Sequence, residues 1–113
     1  MTLSEVAGEM HLAVRCCNDR LDREVAGAYA GDLMSDVIAH ALPGTVWITM
    51  QVHVNIVAVA VLKELAGIIL VQGREPAEDT AARAEAEHIP VLSTELPAYE
   101  TAGRLHALLG RGP

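Results

Sequence analysis

Between residues 41 and 94, short apolar runs alternate with helix-like segments, and each run ends in a small cluster of polar or glycine residues. Thr45-Val46-Trp47-Ile48-Thr49-Met50 leads into Gln51, His53 and Asn55, and Gly67-Ile68-Ile69-Leu70-Val71 leads into Gln72, Gly73, Arg74 and Glu75. Pro90-Val91-Leu92 leads into Ser93 and Thr94. Runs of this length and branching suit strands buried on both faces, and helical stretches between them suit the crossovers that parallel strands require. The pattern therefore predicts an α/β fold: a single three-layer domain over residues 1–113, with a mostly parallel sheet of about five strands flanked by helices. Ligands of such sheets bind beyond the carboxyl ends of the strands, which places a site before its occupant is known.

The remainder of the chain extends this plan. Thr2 and Glu5 have capping-box spacing and open a short helix with Leu3, Val6 and Met10 on one face. Residues 11–16 and 25–30 read as two further strands, the second built from small side chains. Leu33, Met34, Val37, Ile38 and Ala41 form a helical stripe stopped by Pro43-Gly44. Residues 46–50, 68–71 and 91–92 supply the remaining strands. Residues 53–65 read as a helix that is apolar nearly all round, so it needs cover on more than one side. In a domain of this size, a second subunit is the expected cover. Pro76 opens a helix reaching Glu87, and Pro97 opens a last helix with Ala98, Ala102, Leu105 and Leu109 facing the core. Residues 110–113 are expected to fray. The direction of the first two strands stays open at this level.

Composition narrows the function classes. With 113 residues, about half of them apolar, the chain can bury a core without metal or disulfide support. Acidic residues outnumber basic ones, 15 to 8, and the net charge of −7 opposes nucleic acid and anionic membranes. Cys16 and Cys17 are vicinal; successive strand residues face opposite ways, so a mutual disulfide would be strained and two reduced thiols are expected. Residues 1–10 carry Glu5 and Glu9 and no basic start, which reads as no signal peptide; a cytoplasmic location follows as the expectation. Polar residues 51, 53, 55, 63 and 64 interrupt the apolar stretch 46–71, against a transmembrane helix.

Catalytic motifs are sparse. There is no phosphate-binding Gly-x-x-x-x-Gly-Lys-Ser/Thr, no Gly-x-Gly-x-x-Gly and no Gly-x-Ser-x-Gly. The single lysine, Lys63, neighbours Glu64 inside a helix, so kinase or ATPase chemistry lacks its phosphate-neutralising parts. His11, His40, His53, His88 and His106 show no metal-ligand spacing, and neither a metal nor a cofactor is expected. Arg15 beside Cys16 would depress that thiol's pKa only if both faced the same way. The clusters that remain are Gly31-Asp32, Gln51-His53, Gly73-Arg74 and Thr94, each following a strand. Helix N-termini at the same edge favour an anion, and Arg74, read as the cation there, can grip phosphate or carboxylate with two parallel bonds. Asp32 is expected to cap its helix or bind a ligand hydroxyl.

Gly31-Asp32-Leu33-Met34-Ser35-Asp36-Val37, Trp47-Ile48-Thr49, Ala66-Gly67-Ile68-Ile69-Leu70, Gly73-Arg74-Glu75-Pro76 and Ile89-Pro90-Val91-Leu92-Ser93-Thr94 resemble the DRTGG domain family, as does Tyr99-Glu100-Thr101-Ala102-Gly103-Arg104. That family is similar to the N-terminal domain of HPr kinase/phosphorylase and accompanies CBS domains in some pyrophosphatases. The resemblance implies a three-layer α/β fold, a regulatory and non-catalytic role, dimerisation, and adenine nucleotides as a ligand class. The Asp-Arg-Thr-Gly-Gly signature is absent here, and Val71-Gln72-Gly73-Arg74-Glu75 is its nearest counterpart. Three functions remain in order: a homodimeric ligand-sensing domain, a protein-interaction module with no small ligand, and an enzyme using His53 with Asp32.

Overall fold

The computed structural model describes residues 1–110. The first helix, α1 (Leu3–Met10), starts at the expected capping box: Thr2 Oγ1 accepts from the Glu5 N–H at 3.2 Å, and the Thr2 N–H donates to Glu5 Oε1 at 2.8 Å. Donation to Glu5 Oε1 from the Thr2 N–H, and then from the Thr2 hydroxyl at 3.2 Å, holds the Glu5 carboxyl below its usual range. His11 ends α1 in the left-handed region at φ 54°, so the first strand is β1 (Ala13–Cys16), two residues shorter than residues 11–16 suggested. A single 3-10 turn (Asn18–Arg20) precedes β2 (Gly27–Ala30), and α2 (Met34–His40), β3 (Thr45–Thr49) and α3 (Asn55–Leu62) follow. The chain continues through β4 (Gly67–Leu70), α4 (Glu78–Glu87), β5 (Val91–Ser93) and α5 (Ala98–Leu109). Pro76 lies two residues ahead of α4 rather than inside it, and Ala77 is the N-cap. The expected fraying falls largely on residues 111–113, outside the described residues.

The sheet runs β1-β5-β4-β3-β2. β2, β3, β4 and β5 are parallel, while β1 lies antiparallel on β5 with a register irregularity between Val14 and Cys16. This settles the open direction of the first two strands: the second is parallel, the first is not. β3, β4 and β5 are buried at every position, as strands covered on both faces must be. On one face Trp47, Ile68, Leu70 and Val91 pack against α2, α3 and α4. On the other, Val46, Ile48, Ile69 and Leu92 pack against α1 and α5. Alternate side chains of each strand thus feed two separate cores, which makes the fold a three-layer α/β sandwich.

The vicinal cysteines correct a strand-based expectation. Cys17 is no longer in strand conformation (φ 60°), so both free thiols turn into the same core cluster. Its N–H donates to Glu85 Oε2 at 2.9 Å and its Sγ to Ala84 O at 3.3 Å. Burial, with Glu85 beside it, raises Cys17 to about 11. Cys16 is raised as well, first by burial and then by Glu85, opposite to the depression that Arg15 could have caused. Neither is an activated thiol.

Candidate functional site at the strand ends

Four parallel strands deliver residues 31, 51, 73 and 94 to one edge of the sheet, and the antiparallel β1 begins beside it. The contacts there fall into two halves. Over β2 and β3, Asp32 Oδ1 accepts from the Thr49 hydroxyl at 2.7 Å and from the Met50 N–H at 2.8 Å. Gln51 Nε2 returns a bond to Asp32 O at 3.0 Å, and Trp47 Nε1 donates to Gly31 O at 2.7 Å. Asp32 therefore neither caps α2, whose N-cap is Leu33 with no side-chain bond, nor stands free for a ligand hydroxyl on that oxygen. It ties the loop after β2 to the loop after β3.

Over β4 and β5, Gln72 and Gly73 both occupy the left-handed region, at φ 60° and 69°. Their N–H groups donate to Leu96 O at 2.9 Å and Thr94 O at 2.8 Å, closing the turn onto the end of β5. The left-handed angle favours glycine at residue 73, while the Glu95 carboxylate 2.9 Å from where a Cβ would stand is the movable end of an exposed side chain. Arg74 leaves this turn exposed, and it makes no ion pair among the described residues. Arg15 was not expected at this edge. From β1 its Nε donates to the buried Ser93 Oγ at 2.8 Å, and its guanidinium lies 3.5 Å from Glu75. Sequence reasoning missed it because only the antiparallel pairing of β1 sets residue 15 beside β5, from where its side chain reaches Ser93.

The two halves are joined through Val52, whose carbonyl accepts from the Thr80 hydroxyl at 2.7 Å and from the Ala77 N–H at 3.3 Å. His53 is exposed at the approach to α3, and no hydrogen bond joins it to Asp32 among the described residues. Acidic residues occupy the first turns of α2, α4 and α5, whereas the first turn of α3 carries none. No group of three or more His, Cys, Asp or Glu side chains converges in metal-binding geometry among the described residues.

The DRTGG domain family model matches residues 4–108. The chain belongs to the DRTGG domain family. This DRTGG domain is similar in structure to the CBS and DRTGG domains of the regulatory region of Clostridium perfringens pyrophosphatase, which was solved in complex with its activator, diadenosine tetraphosphate. The likeness has a TM-score of 0.69 at 16% identity, covering 92% of this chain and 45% of that one. At that identity it shows the shared fold, and the domain spans under half of the neighbour's length. No curated protein sequence matches it. Among the described residues, no helix is long and apolar enough to cross a membrane.

Proposed function

We propose that this DRTGG domain is a non-catalytic, homodimeric regulatory module of the cytoplasm. In this reading it binds a small anionic ligand, of the adenine-nucleotide class, at the C-terminal ends of its parallel strands. The observation that carries the reading is Arg74. It is an exposed guanidinium without a carboxylate partner among the described residues, in a protein of net charge −7, at the edge where parallel sheets hold ligands. Gly73 shapes the turn that presents it, and Gly31, Gln51, His53 and Thr94 border the same edge. Asp32 organises the loops. The pyrophosphatase neighbour, whose regulatory region binds diadenosine tetraphosphate, supports nucleotides as the class to test first.

An enzymatic reading is weaker. The sequence has no phosphate loop, and the His53–Asp32 pair it would need is not joined by a hydrogen bond among the described residues. Interaction with a protein is the stronger second reading, because α2 and α3 pack side by side and leave Ile38, Leu42, Val61 and Leu62 exposed.

The deciding experiment is a thermal-shift titration with adenylates, dinucleoside polyphosphates, inorganic phosphate and carboxylates. One class should raise Tm saturably, and Arg74→Ala should remove that response while leaving the unliganded Tm in place. Unchanged affinity in Arg74→Ala would move the site elsewhere, and a flat panel would favour the protein-interaction reading.

A further inference from the structure

The two edges of the sheet are defended unequally. β1 carries Arg15 and an irregular register, both of which discourage a further strand. β2 pairs only with β3 among the described residues, and its sequence Gly27-Ala28-Tyr29-Ala30 contains no charge and no proline. Its face toward α5 is only partly covered: Ala26, Ala28 and Ala30 are exposed and floor a groove of about 780 Å³, walled by the free flank of α5. α5 is the helix packed over this stretch of sheet, and the groove runs open along its flank.

We infer that β2 and α5 form a self-complementary face through which two copies of this chain pair about a twofold axis, β2 antiparallel to β2 and α5 against α5. The inference rests on the homodimeric part of the reading above, not on its ligand. Geometry favours a second copy as the occupant. α5 packs over both β2 and β3. With strands ~4.8 Å apart, the midlines of the two β2–β3 pairs fall roughly 9.6 Å apart across such an axis, within the ~8–10 Å of packed helices. The second copy's α5 therefore fills the groove.

Charge points the same way. Glu100 stands in the first turn of α5, whereas Arg104 and His106 lie farther along it. A twofold axis makes the helices antiparallel, so Glu100 of each copy faces Arg104 and His106 of the other. Within one copy, Glu100 and Arg104 are held only as a long exposed pair at 3.9 Å, leaving both free to exchange partners. Ala102 and Gly103 keep the contact face low, and nothing lies within 4 Å of where a Cβ on Gly103 would stand.

Sedimentation equilibrium of the full chain across the micromolar range tests this. Wild type should be dimeric. Ala28→Glu, which sets two uncompensated carboxylates across the axis, should weaken the dimer by at least about a hundredfold. Glu100→Arg and Arg104→Glu should each weaken it by about tenfold, since symmetry reverses two pairs at once. The double charge swap should restore it, a result that a merely misfolded variant cannot give. A monomeric wild type overturns both the interface and the homodimeric reading. A dimer indifferent to Ala28→Glu and to the charge reversals, or one dissolved instead by Leu62→Glu on α3, overturns this interface alone. Nucleotide response through Arg74 is read separately and is untouched by either result.

Discussion

Asp32 places one carboxylate oxygen between the Thr49 hydroxyl and the Met50 N–H, and Thr49 is itself buried. Removing that acceptor strands a buried donor, which costs more than the bond itself contributes. Asp32→Ala should therefore destabilise the domain by about 2 kcal/mol, read as a shift in urea midpoint followed by the fluorescence of Trp47. An unchanged midpoint would show the loop tie to be dispensable. Cys17 makes a pH prediction. Its thiol is raised from 9.0 to about 11, so the folded state holds the proton longer than the unfolded chain. The associated stability is whole below about pH 9 and is lost as pH rises toward 11. Cys17→Ser should flatten the decline in unfolding midpoint over that window; equal slopes in both proteins would remove Cys17 as its source. A Cys in a sequence cannot announce this, because the shift comes first from burial and then from Glu85, both supplied by tertiary packing.

At the scale of elements, chemistry is legible in the sequence wherever it is local. The capping box of α1 follows from Thr2 and Glu5 alone. Gly8 is exposed within that helix, and nothing lies within 4 Å of where its Cβ would stand, so Gly8→Ala should stabilise the domain by about 0.5–1 kcal/mol in the same urea assay. A loss of stability would mean that α1 needs glycine for a packing reason. Boundaries are less legible. The apolar stretch 53–65 predicts a long helix, whereas α3 spans Asn55–Leu62 and ends before Glu64 turns left-handed at φ 55°. Its all-round hydrophobicity calls for cover on more than one side, yet Val61 and Leu62 remain exposed, Leu62 at 64%. For β1, the apolar residues are visible in the chain, but antiparallel pairing is not, since nothing within residues 13–16 encodes which neighbour they meet.

Across the whole molecule, β3, β4 and β5 form the fully buried centre, and the two sheet edges differ. β1 brings a cation to the strand-end edge; β2 leaves an open flank beside α5. The strand-end clusters also separate by use once folded. Asp32 and Gln51 are committed to holding loops and Gly73 to a left-handed turn, while Arg74 and His53 project without an ionic partner among the described residues. The sequence by itself determined the α/β class, the three buried strands and the edge at which their ends gather, because burial periodicity and capping act over a few residues. Only the tertiary structure decided the antiparallel place of β1, the arrival of Arg15 beside Ser93 and the division of Asp32 from Arg74. Those outcomes depend on contacts such as that of Arg15 with Ser93, 78 positions apart, where pairing is chosen by the packing of the entire sheet rather than by any local pattern.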